Sequence, residues 1–206
     1  MAKARNKPAP RGIAYGDRRY DIVAIGSSAG GLNALTQALR SIPADFPSSI
    51  VVVQHLAPRH KSMMPELLAR SLHLRAKQAE HGEIILPGWV YVAPPDEHLL
   101  VGPGKLQLLH SQLVHFSRPS IDLLFESVAG TYGSRSVGLI LSGSGLDGAS
   151  GMAAIKESGG VTIVQNDAEF KALPQAALET HSVDLQVPLH KIAQTLLKLC
   201  CGNHKA

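Results

Sequence analysis

The chain has 206 residues, 45% of them hydrophobic but only 4% aromatic, and a formal charge of +4. That length fits one α/β domain or two very small ones, and a core so poor in aromatics has to be built from Val, Ile, Leu and Ala. No apolar run is long enough to cross a bilayer as a helix, and no apolar stretch follows the N-terminal basic residues as a secretory signal requires, so membrane insertion and export are not expected.

Residues 1–19 hold much of the positive charge (Lys3, Arg5, Lys7, Arg11, Arg18 and Arg19) among Pro8, Pro10 and Gly12, without apolar periodicity. They are expected to be a flexible basic arm. Contact with an acidic surface is open to it, a solubilising tail is the plainer reading, and no nucleic-acid partner is expected. From Asp21 to Ile25 a β-branched run leads into Gly26-Ser27-Ser28-Ala29-Gly30-Gly31, and Leu32, Leu35, Ala38 and Leu39 then recur at helical spacing. A second strand, Ile50 to Val53, runs into Gln54-His55-Leu56-Ala57-Pro58. Met63, Met64, Leu67 and Leu68 make one face of the next helix, read as core packing.

Between Ile84 and Leu109 short apolar runs alternate with Pro and Gly pairs, the texture of antiparallel hairpins. Ser120 is placed to cap a helix through Ile121, Leu124, Phe125 and Val128, with Asp122 in its first turn. Val137 to Leu141 is a buried strand ending in Ser142-Gly143-Ser144-Gly145-Leu146-Asp147-Gly148, before a helix with Met152 and Ile155. Val161 to Val164 adds a strand and Ile192 to Leu199 a closing helix. The expected fold is α/β: a doubly wound, mostly parallel sheet with an antiparallel hairpin edge and helices on both faces. The expected domain spans 20–200, with a tail at 201–206. The only cysteines, Cys200 and Cys201, are adjacent and lack metal-ligand spacing, which points to a reduced, cytoplasmic protein.

In such a sheet ligands bind beyond the carboxyl ends of the strands, where Ser28, His55 and Asp147 fall. A serine needs a base within reach, a neutral imidazole is one near pH 7, and a carboxylate fixes its tautomer. Gly26, Gly30 and Gly31 allow a sharp turn that exposes Ser28, with the following N–H groups at a helix start suited to an oxyanion. Each residue alone has a plainer reading: Ser28 as a helix cap, His55 as a structural histidine, Asp147 as the cap of the helix after it. Their shared position at strand ends favours the nucleophile, base and orienter assignment. A dinucleotide fingerprint fails because Ser28 stands where its second glycine belongs, and no P-loop Gly-Lys-Ser/Thr occurs. Asp96 with His98 is one possible metal pair, but no supporting cluster accompanies it, so neither metal nor cofactor is expected.

Several ordered motifs resemble the CheB-type chemotaxis protein-glutamate methylesterases. They are IGSSAGG from Ile25 to Gly31, VQHLAP from Val53 to Pro58, LPGWVYVAP from Leu86 to Pro94, DEH from Asp96 to His98, RPSID from Arg118 to Asp122, LSGSGLDG from Leu141 to Gly148, and Gln165-Asn166. The resemblance covers nearly all of Tyr20 to Leu199. It implies a catalytic triad of Ser28, His55 and Asp147, and a substrate of methyl-esterified glutamates on the cytoplasmic helices of bacterial chemoreceptors, with glutamine deamidation by the same chemistry. Ala29 and Ser144 stand where the family often has threonine and methionine, and Leu146 where it often has asparagine. Backbone N–H groups near Ala29 and Ser144 are the oxyanion candidates, and Arg118 is a candidate for substrate binding or for holding its loop. The basic arm is too short for the receiver domain common in the family, so control by a separate response regulator is the implied alternative. A non-catalytic receptor-binding adaptor with the same fold is the second reading.

Overall fold

The computed structural model describes residues 20–55 and 62–201. The expectations for the basic arm, for Leu56-Ala57-Pro58 and for the tail beyond Cys201 lie outside them. In chain order the strands are β1 (Ile22–Ser27), β2 (Ser49–Gln54), β3 (Arg75–Gln78), β4 (Trp89–Val92), β5 (His98–Gly102), β6 (Lys105–Leu109), β7 (Ser136–Ile140), β8 (Val161–Gln165) and β9 (Leu185–Val187). The helices are α1 (Gly31–Leu39), α2 (Met64–Ser71), α3 (Ile121–Tyr132), α4 (Ala149–Glu157), α5 (Ala172–Glu179) and α6 (Ile192–Cys201).

Seven strands form one sheet in the order β3-β4-β2-β1-β7-β8-β9, and every pairing in it is parallel. The strands β1, β2 and β7 are buried along their whole length, which is why they read as unbroken apolar runs rather than as alternating ones. Val23, Ile25, Ile50, Val52, Val137 and Leu139 pack on one face with α1, α2 and α6. Ile22, Ala24, Val51 and Val53 pack on the other with α3, α4 and α5. Each such side chain contributes about 1.5–3 kcal/mol on full burial, so the paired layers hold the strand ends as a rigid rim.

The hairpin was expected at the edge of this sheet and lies elsewhere. β5 and β6 pair antiparallel as a separate two-stranded sheet, with Leu99, Val101 and Leu106 buried in the same layer as α3. β4, read as part of the hairpin region, instead enters the main sheet beside β2. From β1 the chain first fills one side with β2, the edge strand β3 and then β4 between them, and afterwards returns to add β7 on the other side. The order therefore reverses at β1, opening a crevice at the carboxyl ends of β2, β1 and β7.

Candidate active site

Ser28 follows β1, and three residues later α1 begins. Gly30 makes the turn in a left-handed conformation (φ 73°), and α1 receives no side-chain cap, so Ser28 is not the helix cap that its position allowed. The Ser28 N–H donates to the Ser142 carbonyl beyond β7 (3.0 Å), and its carbonyl accepts from Gly31 N (2.9 Å) and from Gln54 Nε2 (2.6 Å). Gln54 is buried at the end of β2. Its amide also donates to the His55 carbonyl (2.9 Å) and accepts the Ser27 hydroxyl (2.7 Å). One side chain thus ties the serine turn to the histidine's backbone. It needs Gly31 as neighbour, because a Cβ there would lie 1.8 Å from Gln54 Oε1.

His55 leaves β2 half-buried, and its Nε2 is 2.8 Å from Asp147 Oδ2. Asp147 is almost fully buried on the loop after β7. Its carboxylate also accepts the Ile121 N–H (2.8 Å), the Asp122 N–H (3.0 Å) and the Ser120 hydroxyl (2.8 Å). It therefore caps the start of α3, not the following α4 as the sequence allowed. Burial works to raise its pKa, but the His55 ring, the two amides and the Ser120 hydroxyl hold it below the ordinary carboxylate value. The carboxylate is ionised, with the positive end of a helix behind it.

Ser28 and His55 line one cleft of about 1140 Å³ together with Ala29, Gln54, Met63 and Leu67. The Ser28 hydroxyl makes no hydrogen bond to the ring among the described residues. Because Nε2 faces Asp147, Nδ1 is the ring nitrogen turned away from the carboxylate. The α2 methionines divide: Met64 packs in the core with Leu68, whereas Met63 (57% exposed) and Leu67 (41%) lie on the open wall of the cleft.

The remaining sequence candidates separate clearly. Ala29 lines the cleft; Ser144 is exposed on the loop after β7 and lines neither cavity around His55. Arg118 lies across His55 from Ser28, in a small cavity with Leu113, Phe116 and Ser117. Its guanidinium grips Asp96 Oδ1 through Nε (2.9 Å) and Nη2 (2.6 Å) and donates to the Ser111 carbonyl. That bond holds the carboxyl of Asp96 below its ordinary value. Asp96 is thus spent on Arg118, while His98 is fully buried in other hydrogen bonds, so the two do not form a metal pair. No group of three or more metal-ligating side chains occurs among the described residues.

Three positioning residues escaped sequence reasoning: Gln54, Ser142 and, as a ligand of Asp147, Ser120. Ser142 donates its hydroxyl to the Ala29 carbonyl (3.0 Å) and accepts the Phe170 N–H (3.0 Å), pinning the serine turn from the β7 side. Gln54 stood beside His55 in sequence, the one signal that pointed to it.

A switch-point crevice holding a glycine-bound serine and a histidine–carboxylate pair is the layout of serine hydrolases. Residues 23–196 match the CheB methylesterase family, and the chain belongs to it. It is 41% identical over 187 residues to a Leptospira interrogans protein provisionally named protein-glutamate methylesterase/protein-glutamine glutaminase, covering 89% of this chain and 97% of that one. It is 38% identical over 182 residues to protein-glutamate methylesterase FrzG of Myxococcus xanthus, covering 87% of this chain but 54% of the relative. The crystal structure of the Thermotoga maritima CheB methylesterase catalytic domain superposes with a TM-score of 0.84 at 34% identity, covering 87% of this chain and 98% of that one.

Proposed function

We propose that the protein hydrolyses glutamate γ-methyl esters on the cytoplasmic helices of chemoreceptors, and deamidates glutamines there, through Ser28, His55 and Asp147. The observation that carries this reading is the His55–Asp147 hydrogen bond of 2.8 Å at the rim of the cleft that holds Ser28. Asp147 accepts the hydrogen bond from Nε2–H and so leaves the lone pair on Nδ1. Nδ1 takes the Ser28 hydroxyl proton as the oxygen attacks the γ-carbonyl carbon, and backbone N–H groups near Ala29 meet the oxyanion. Collapse breaks the bond to the methoxy oxygen, which leaves as methanol with the proton from Nδ1. Water then gives a proton to Nδ1 and attacks the acyl-serine, freeing the glutamate carboxylate and restoring Ser28. Ammonia replaces methanol as the leaving group in deamidation.

No helix among the described residues is long and apolar enough to cross a membrane, and a cytoplasmic site of action matches a substrate on receptor cytoplasmic helices. The adaptor reading is not favoured, because relatives with this fold are named as enzymes and the imidazole and carboxylate are engaged as hydrolysis requires. The test is methanol release from methylated receptor fragments. Ser28→Ala is expected to lower turnover by roughly 10⁴-fold or more, the scale of losing a triad nucleophile; release at the wild-type rate would refute the assignment.

A further inference from the structure

His98 opens β5 and is fully buried. The Ser120 N–H donates to its Nδ1 (3.1 Å), and its Nε2 lies 3.0 Å from the Gln112 carbonyl. An amide N–H only donates and a carbonyl only accepts, so the ring carries its lone pair at Nδ1 and its proton at Nε2. The partners matter more than the ring. Ser120 is the residue whose hydroxyl holds Asp147 Oδ1 at 2.8 Å while accepting the Leu123 N–H. Gln112 begins the segment that brings Leu113, Phe116 and Arg118 to the far side of His55. One imidazole, anchored on the hairpin by the pairing of His98 with Leu109, therefore grips both structures that flank the His55–Asp147 pair.

We propose that His98 is a positioning residue of this enzyme: as a neutral Nε2–H imidazole it sets Ser120, and through Ser120 the orientation of Asp147 and His55 toward Ser28. The proposal rests on the assignment of Ser28, His55 and Asp147 made above. A ring that only satisfied a buried backbone N–H would change stability when replaced, but not the geometry of the reaction. A ring that orients Asp147 changes the reaction, because small displacements of catalytic groups slow turnover steeply.

The experiment follows methanol release from methylated receptor fragments by the full chain and by His98→Asn, His98→Gln, Ser120→Ala and the His98→Gln/Ser120→Ala double variant. An asparagine amide reaches the place of Nδ1 and offers Ser120 its acceptor; a glutamine amide reaches only the place of Nε2. His98→Gln is expected to lower kcat about 10- to 100-fold with KM unchanged, and His98→Asn to stay within about threefold of wild type. Ser120→Ala is expected to lower kcat by a similar factor, and the double variant to be no slower than the slower single one, since both break one chain of contacts. Wild-type kcat in folded His98→Gln or in Ser120→Ala, equal losses in the asparagine and glutamine variants, or losses that multiply in the double variant overturn the proposal. If the His98 variants do not fold, imidazole ¹⁵N shifts of the wild type decide together with Ser120→Ala: any state of His98 other than the neutral Nε2–H tautomer overturns it. Ser28→Ala in the same assay keeps the two readings apart. Undiminished release there overturns the site itself, whereas its loss beside a silent His98→Gln overturns the positioning role alone.

Discussion

At the start of α3 the carboxylate of Asp147 accepts two helix N–H groups, and at the start of α4 the carboxylate of Asp122 accepts the Gly151 N–H at 2.7 Å. α3 is thus held by an acid from the loop leading into α4, and α4 by an acid in the first turn of α3. Both groups are buried, yet they are driven in opposite directions. Asp122 is pushed up to about 6, first by burial and then by the charge of Asp147, against the amides of Gly151 and Gly148 and the ring of His115. Asp147 is held low because the His55 ring and its hydrogen-bond donors outweigh its burial. The partners, not the depth, decide which carboxylate is held below the ordinary range, and that one is bonded to His55.

The harshest way to break that comparison is Asp147→Asn. The amide keeps the shape but presents a donor where His55 needs an acceptor, leaving the ring in the wrong tautomer. Methanol release is expected to fall by roughly 10⁴-fold, the scale known for such replacements, with a near-normal KM. A loss below about tenfold would mean that His55 does not depend on this carboxylate.

Gly151→Ala attacks the contact between the two helices. Its Cβ would lie 2.6 Å from Phe125 Cβ and 3.1 Å from the Asp122 backbone, so α4 has to move away from α3. The expected loss is about 1–3 kcal/mol in denaturant unfolding, together with reduced turnover as both carboxylates shift. An unchanged unfolding midpoint would show that the helices have slack at this point.

The mildest test sharpens the contrast by pH. Asp122 has a folded value raised above the unfolded one, so the folded chain holds the proton more tightly. Stability assigned to it is lost as pH rises from the ordinary carboxylate range through about 6. Asp147 is depressed, so its contribution is present near neutrality and lost as pH falls through its folded value. Relative to wild type, Asp122→Asn is therefore expected to gain stability as pH rises from about 4 to about 6 and to level off above that. A difference in melting temperature that does not vary with pH, or that moves the other way, would contradict the raised value.

How much of this was legible in the sequence depended on the kind of signal. β1, β2 and β7 are wholly buried and end in glycine or histidine turns, so their positions, and those of Ser28, His55 and Asp147 beyond them, could be read directly. β3, Arg75–Gln78, sits at the sheet edge with half-exposed charged side chains and has no apolar pattern to read. β9 spans only Leu185–Val187, and α5 carries Pro174 in its first turn, so neither announced itself. Ser120 was legible as a helix cap because Leu123 is three residues away, but its bond to Asp147 spans 27 residues and left no local mark. The contacts of His98 were hidden for a related reason. Nearness in sequence offered only a possible pair with Asp96, which lacked a supporting cluster; in the fold Asp96 turns to Arg118 and His98 turns into the core. The tethers of Gln54 and Ser142 are likewise side chain-to-backbone contacts that form only once the strands are side by side.

The most direct measurement is the time course of methanol release from methylated receptor fragments by His55→Ala beside the wild type, with folding of both checked by their melting curves. With Nδ1 as the base that first takes and then returns the proton, turnover is expected to drop by roughly 10⁴-fold or more. A folded His55→Ala protein that releases methanol within about tenfold of the wild-type rate would contradict the role given to the histidine, and with it the triad.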